Sequence, residues 1–594
     1  MKTITTILLC ATASSLHAQS LPPVPVPPEN PITEAKRALG KILFWDTQLS
    51  SDNTTACGTC HQSSSAGADP RFGYNPGADG IQWNSDDIIG SPGVVDSDSN
   101  GMYVPNATFD LLTQVTARAA NSYGMIQYAP ELFWDGRASS TFTDPETGAV
   151  LIASGGALES QAVEPLMGSE EMAHQNRDWN SLNTKLVTAK PMALATNLPS
   201  DMAQALAIHS TYPELFTEAF GDATINAGRI GMAIATYERT LVADDTPYDR
   251  TQNGQAGGLT PDQEQGLQMF SSPMMLCSEC HTPPMFTDFT YRNVGLRPIA
   301  EDAGRFGVTK DINDRGRFKV PSLRNVGLKS TFMHNGRLLS LDNVLDFYGG
   351  NTTQFPENQD PIIGQIFLPP MAIVPIKDFL ANGLTDARVR DELYPFDRPT
   401  LINELAQNPL PVGTGTAGSG GFIPAVIAPS ATPNIGNTDF RFGIKNALGQ
   451  AQASIVLYRT QADAEAMGMP VVTLGPITLA GKGQGRGYGT IHWPIEANST
   501  LLADSLYAQW IVQDSNGSNG EARSELVEVS FYEVDPTSCN CPGDVTCDSI
   551  VGVSDLLAMI DSWGECDFCG TDLNNDGAVN VLDLLSLIDN WGGC

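Results

Sequence analysis

Basic side chains are scarce in this sequence. Lys and Arg total 33 against 67 Asp and Glu, which leaves a formal charge of -34 at pH 7. Like charges repel, so nucleic acid and anionic membrane are excluded as partners, while cations and basic proteins are favoured. Long apolar runs are missing too. Past the first twenty residues none approaches the roughly 20 apolar residues that cross a bilayer, so no membrane span is expected. Cysteine is confined to a few places: of 11 Cys, one lies in the first twenty residues, four in two short motifs and six beyond position 538.

The opening MKTITTILLCATASSLHAQS has one Lys, an apolar stretch from Ile4 to Ala13 and small residues ending at Ala18. That is the layout of a secretory signal, expected to cover 1–18 and to send the protein to the periplasm, cell surface or medium. Leu9 before Cys10 argues against a lipid anchor. In an exported chain the six late Cys point to disulfides, whose pairing stays open.

With domains of about 100–200 residues, a chain of 594 residues is multidomain. Up to about Leu405 helical patterns and long loops dominate. Ile230, Ile234, Tyr237 and Leu241 share one helical face, and LTPDQEQGLQMF carries Thr260, Pro261 and Gln263 in capping-box order. QNPLPVGTGTAGSGG (407–421) reads as a flexible linker. Beyond it ASIVLYRT, GTIHWPI, LYAQWIVQD and SELVEVSFYEV alternate as strands of a β-sandwich. The expected order is a mainly α pair of domains (19–224 and 225–406), an all-β sandwich (422–536) and a small α domain (539–594).

Two motifs carry the chemistry. Cys57-Gly-Thr-Cys60-His61 and Cys277-Ser-Glu-Cys280-His281 are CxxCH, which attaches c-type haem: two thiols bind the porphyrin and the adjacent His ligates iron. A zinc or redox CxxC is the competing reading, and two complete CxxCH copies in an exported chain decide for two covalently bound c-type haems.

The text around these motifs resembles the bacterial dihaem cytochrome c peroxidases and their MauG-like relatives: ALGKILFWDTQLSSDNTTACGTCH, LFWDGRA, ALESQAVEPLMGSEEM, CSECHTPPMF, and GRFKVPSLRNVGLKSTFMHNGR followed by LDFYGG, over about residues 30 to 400. The resemblance implies that the His61 haem meets peroxide and the His281 haem relays electrons. It implies Glu171 as the acid–base carboxylate, with the amide Gln161 ten positions before it, Pro165 in the same pocket and Trp134 as an inter-haem stepping stone. It implies one calcium between the haems, held by the Asn121 side chain and the carbonyls of Lys329 and Thr331. A chemical argument supports the acid–base role, because heterolysis of the O–O bond needs a group that moves a proton from the near to the far oxygen.

Two departures favour the MauG-like branch. Ordinary members carry a His after the first CxxCH that caps the iron, yet no His lies between His61 and His174. In MHNGRLLSLDNVLDFYGG, Tyr348 stands where relay haems carry their distal ligand, Met in ordinary peroxidases and Tyr in MauG-like ones, and Met333 comes fifteen positions too early.

The last 56 residues repeat at an offset of 28, pairing Cys541 with Cys569 and Trp563 with Trp591. Asp572, Asn574, Asp576, Ala578 and Asp583 occupy positions 1, 3, 5, 7 and 12 of an EF-hand-type calcium loop with Gly577 at 6. The other copy uses Asp544, Thr546, Asp548, Ile550 and Asp555, with Ser549 in place of Gly, and is expected to bind calcium more weakly. The paired loops and helices resemble dockerins, which implies a cohesin-like receptor.

The sequence therefore points to an exported dihaem peroxidase that reduces hydrogen peroxide with electrons from a small cytochrome c or cupredoxin. MauG-like oxidation of a protein or small organic substrate is the second reading. A non-enzymatic extracellular electron carrier is the third.

Overall fold

A computed structural model of the chain describes residues 21–350, 352, 354–404, 410–427, 433–496, 505–531, 550–561, 563–565, 578–589 and 591–593. The segment 1–18 expected to be an export signal and all six late Cys lie outside the described residues. Among the described residues no helix is long and apolar enough to cross a membrane.

The first core forms around α1 (Glu34–Trp45), α2 (Ala157–Val163) and α3 (Ala227–Glu238). Thr33 Oγ1 caps α1 by accepting the Lys36 N–H, and Asn226 Oδ1 caps α3 by accepting that of Arg229. Leu39, Ile42, Leu43 and Trp45 of α1 meet Ile230, Ala233, Ile234 and Tyr237 of α3. At Gly40 a Cβ would lie 1.9 Å from the Ala233 carbonyl oxygen, so only glycine allows this approach. A boundary at 224/225 does not survive this packing. The apolar face of α3 is buried against α1, and Val389, Phe396 and Leu401 return to the same core.

The second core contains α4 (Pro261–Phe270), α5 (Leu341–Tyr348) and α6 (Pro370–Asp378). The capping box forms as expected: Thr260 Oγ1 accepts from Gln263 N, and Gln263 Oε1 accepts from Thr260 N. Phe270, Phe286, Leu345, Ile376 and Phe379 fill this core. Buried charges are paired, as burial requires: Arg239 with Glu159 at 2.6 Å, Arg324 with Asp249 at 2.7 Å, and Lys41 with Asp201 at 2.9 Å and Asp397 at 2.8 Å.

Between the first CxxCH and α2, β1 (Gly73–Asn75) pairs antiparallel with β2 (Ile88–Gly90), and residues 76–87 form an excursion between them. The sandwich follows the haem-motif region. One sheet has the order β3 (Leu410–Pro411), β11 (Val527–Ser530), β9 (Ser505–Ser518), β6 (Gln452–Tyr458), β7 (Val472–Thr478), with β10 (Glu521–Arg523) on β9; the other runs β4 (Ala425–Ile427), β5 (Arg441–Ala447), β8 (Gly487–His492). Phe442, Ile444, Ile455, Leu457, Trp510 and Val529 fill the space between them. The segment 407–421 is not a free tether where it is described. Leu410 and Pro411 extend the sheet, and the Ser419 hydroxyl donates to Asp514 at 2.6 Å.

The sandwich also grips the first haem-motif domain. Thr490 Oγ1 accepts the Tyr103 N–H at 2.9 Å, and Arg441 Nε donates to the Tyr103 hydroxyl at 2.9 Å. From the same loop system, Gln114 Nε2 reaches the Ser169 carbonyl at 2.8 Å, and Asp96 accepts from Gln175 at 2.9 Å.

In the C-terminal repeat, α7 (Val553–Asp561) and α8 (Val581–Asp589) are helices as expected. Each repeat's short strand pairs with the tail of the other copy: Ile550–Val551 with Gly592–Gly593, and Ala578–Val579 with Gly564–Glu565. Val551, Met559, Val579 and Leu587 form the core, again related by 28 positions.

Replacing Gly40 by Ala is expected to lower stability by about 1–3 kcal/mol through overpacking. Chemical denaturation of the haem-loaded protein, compared with a Gly364→Ala control at an open position without a left-handed backbone, measures it.

Candidate active site

The spacing of each CxxCH places three functional side chains on one tight turn. Cys57–Cys60 form a single helical turn, closed by the His61 N–H donating to the Cys57 carbonyl at 3.0 Å. A carbonyl only accepts, so His61 Nδ1, 2.8 Å from the Gly67 oxygen, carries the ring proton and leaves Nε2 free to ligate a metal. The second copy repeats this: His281 N donates to Cys277 O at 3.0 Å, and Nδ1 lies 3.1 Å from the Phe286 oxygen. Burial pushes both imidazoles down, which keeps them neutral and able to ligate iron. The residues present thus fit two c-type haems.

Beside the first turn lies a cavity of about 720 Å³. It is lined by Cys57, Cys60 and His61, and by the expected Asn121, Trp134, Gln161, Pro165 and Glu171. Gln161 comes from the last turn of α2 and Pro165 opens the next turn. Glu171 follows a reverse turn in which its N–H donates to the Gly168 carbonyl at 3.1 Å. A Cβ at position 168 would sit 2.7 Å from Glu171 Oε2, so a larger residue there would push the carboxylate aside. Burial pushes the Glu171 carboxyl up to about 7, with Arg137 opposing and Glu170 and Glu164 adding to the rise. Among the described residues His61 is the only histidine that lines the cavity, and His174 bonds instead to the Gln175 carbonyl.

Trp134 sits at the seam between the two haem-motif regions. Its Nε1 donates to the Ala119 carbonyl at 2.8 Å, and its ring meets the His334 ring edge-on at 6.4 Å. His334 stacks on Phe318 at 3.6 Å, and burial pushes it down to about 4, so it is neutral. Arg118 crosses the seam, bonding Asp135 and Asp302 at 2.7 Å each.

Tyr348 ends α5 half-buried, and its phenol is pushed up by burial and then by the Cys280 and Cys277 thiols, which places it beside the second CxxCH. Met333 occupies a left-handed turn position at φ 67. The calcium set is less favourable. Asn121 lines the cavity and Thr331 is buried. The Lys329 ammonium, pushed down to about 8 by burial, acts on His61 from the same neighbourhood. A buried ammonium repels a divalent cation, so this donor set does not fit calcium well and no step is routed through it. Among the described residues no cluster of three or more His, Cys, Asp or Glu is placed to hold a metal ion.

Sequence reasoning missed two site residues. Glu238 lines the cavity, is pushed up to about 8 by burial, and has no partner for Oε2 among the described residues. The only signal for it was a charge at the end of an otherwise apolar helix. Arg71 donates to Cys60 Sγ at 3.2 Å while paired to Asp69 at 2.9 Å. Nothing in the local sequence marked it.

Residues 34–257 match the family model described as di-haem cytochrome c peroxidase. The chain is 28% identical over 452 residues to the cytochrome-c peroxidase IdrP1 of Pseudomonas sp. (strain SCT), covering 69% of this chain and 97% of that protein. It is 29% identical over 329 residues to the methylamine utilization protein MauG of Methylorubrum extorquens, covering 55% and 71%. Against the cytochrome c peroxidase Ccp of Escherichia coli (strain K12) it is 28% identical over 331 residues, covering 54% and 55%. A solved MauG-like protein associated with microbial copper homeostasis aligns over 64% of this chain and 97% of its own, with 24% identity and a TM-score of 0.47. Two CxxCH turns and the sequence relatives point the same way: residues 34–257 match the di-haem cytochrome c peroxidase family model, and the chain is similar to cytochrome c peroxidases and to MauG.

Proposed function

We propose that hydrogen peroxide is reduced on the His61 side, with Glu171 as the acid–base group, and that electrons arrive from the His281 side by way of Trp134. The observation that carries this reading is a carboxyl poised at about 7 on the wall of the His61 cavity. When bound, the first haem supplies the iron at which the peroxide O–O bond is cleaved. Glu171 takes the proton of the near oxygen and delivers it to the far one, which leaves as water. The Gln161 amide donates to the bound peroxide, and Pro165 shapes the same wall. Trp134 offers an oxidisable ring between the two halves, held by Ala119 on one side and His334 on the other. Tyr348 would supply a phenol oxygen to the iron of the second haem. The electron donor is a small redox protein, a cytochrome c or a cupredoxin.

A cavity with no second imidazole, together with Tyr348 beside the second CxxCH, favours the MauG-like alternative, in which the same oxidising power is used on a protein or organic substrate. A pure electron carrier has no use for a tuned carboxyl in the cavity.

The amino-terminal signal supports export to the periplasm or cell surface. The C-terminal repeat supports calcium binding and docking. Asp555 and Asp583, at position 12 of each loop, are buried and accept the N–H of Gly552 at 2.8 Å and of Asn580 at 2.9 Å. Positions 544, 546, 548, 572, 574 and 576 lie outside the described residues. Val553, Leu557, Ile560 and Trp563 are exposed, as are their counterparts Val581, Leu585, Ile588 and Trp591. Apolar stripes of this kind mark a protein-binding surface, which suits a cohesin-like receptor.

A base must be ionised to accept a proton, so the peroxide reaction is expected to rise with pH through about 7 and then level. Glu171→Gln removes that limb and slows the reaction by about 10²–10⁴-fold. Stopped-flow mixing of fully oxidised protein with peroxide measures both. A requirement for prior reduction would overturn the uncapped site. Tyr348→Met is expected to change one of the two ferric haem signals in low-temperature spin resonance and to leave the other intact. Calcium titration of the full chain is expected to give two unequal sites, with Asp583→Ala removing the tighter.

A further inference from the structure

The excursion between β1 and β2 carries an exposed aromatic pair close to the first cavity. Trp83 is 75% exposed and Tyr74 43%, with ring centroids 5.0 Å apart. Phe72 and Ile81 widen the apolar patch. Trp83 also stands at φ 71, a left-handed conformation that bulky side chains rarely adopt. The strain is held in place from several sides. Buried Asp87 accepts the N–H groups of Trp83 at 2.7 Å and Asn84 at 3.2 Å, and Arg337 donates to the carbonyls of Asn84 at 3.0 Å and Asp87 at 2.9 Å. An exposed indole on a pinned, strained backbone is a functional feature rather than a loose loop tip.

The inner side of the same excursion faces the chemistry. Asn75, next to Tyr74, is buried and donates to the Val115 carbonyl at 2.8 Å, and with Gly77 and Ala78 it lines the cavity that holds His61. Indole and phenol are the side chains that give up an electron most readily. Here the pair makes a step from solvent to the cavity wall. The excursion carries Asp79, Asp86 and Asp87 and no Lys or Arg, a local charge that disfavours anions.

We propose that Trp83 and Tyr74 form a surface oxidation site at which neutral or cationic phenols too large for the cavity deliver electrons to the peroxide side. The inference rests on peroxide reduction at the His61 side. One peroxide takes up two electrons and two protons as its O–O bond breaks and leaves as two waters. Each phenol gives one electron through Trp83 and Tyr74 and releases its hydroxyl proton. Two phenols are thus oxidised to phenoxyl radicals per peroxide, and no further reductant is needed.

The test uses the haem-loaded full chain and two donors: a phenol tethered to a polyethylene glycol chain and a reduced small c-type cytochrome. The Tyr74→Phe, Trp83→Phe double variant is expected to lose about tenfold or more in kcat/KM with the tethered phenol and to stay within about twofold with the cytochrome. A second readout is independent of turnover. Peroxide added to the wild type with a spin trap and no donor is expected to place an adduct on Trp83 or Tyr74, found by peptide mass spectrometry. Unchanged phenol turnover, equal loss with both donors, or adducts confined to other residues would each overturn the proposal. A wild type that turns over peroxide with neither donor would overturn the reading on which it rests.

Discussion

The bond from His61 Nδ1 to the Gly67 carbonyl sets the terms for the first cavity. It fixes which ring nitrogen keeps its proton, and with the Cys57 turn it fixes the direction in which the other nitrogen points. The surrounding wall has to be consistent with that direction. Gln161, Pro165 and Glu171 reach the same cavity from a helix end and two tight turns, and the bare Cα at Gly168 leaves room for the carboxylate. A rigid proximal side makes a precisely placed proton carrier useful.

The seam between the two halves is held by different means. Trp134, His334 and Phe318 form a continuous aromatic contact, while Arg118 bridges Asp135 and Asp302 across it. Neutral His334 adds ring surface without a competing charge. Packed rings and a buried ion pair both resist relative movement, so the spacing of the two haem motifs is set by covalent turns at each end and by packing between them.

Much of this was legible in the residues. CxxCH is a local code: attachment and ligation lie within five positions, so reading it needs no fold. The Gln161–Glu171 spacing is nearly local as well. Glu238 was not legible as a site residue, because the cavity it lines is assembled from segments far away in sequence, and Arg71 and Trp83 were not because their local contacts follow no recognisable spacing. Helical periodicity gave α3 its apolar face but not its partner, and the partner turned out to be α1, which moves the domain boundary. Composition suggested a loose tether at 407–421, yet Leu410 and Pro411 pair with a sheet edge and Ser419 is held by Asp514. The strands of the sandwich and the two late helices were read from alternation and repeat alone, since each depends on short-range pattern.

The sandwich's hold on Tyr103 has a consequence for modularity. The loop system it grips runs on through Asp96 and Gln114 to the backbone around Ser169 and Gln175, the stretch that carries Glu171. A domain that follows the haem region in the sequence thus buttresses the stretch that carries Glu171. The chain is not a string of separable beads: the wall of the first cavity acquires its full framework only once the ribosome has passed residue 490.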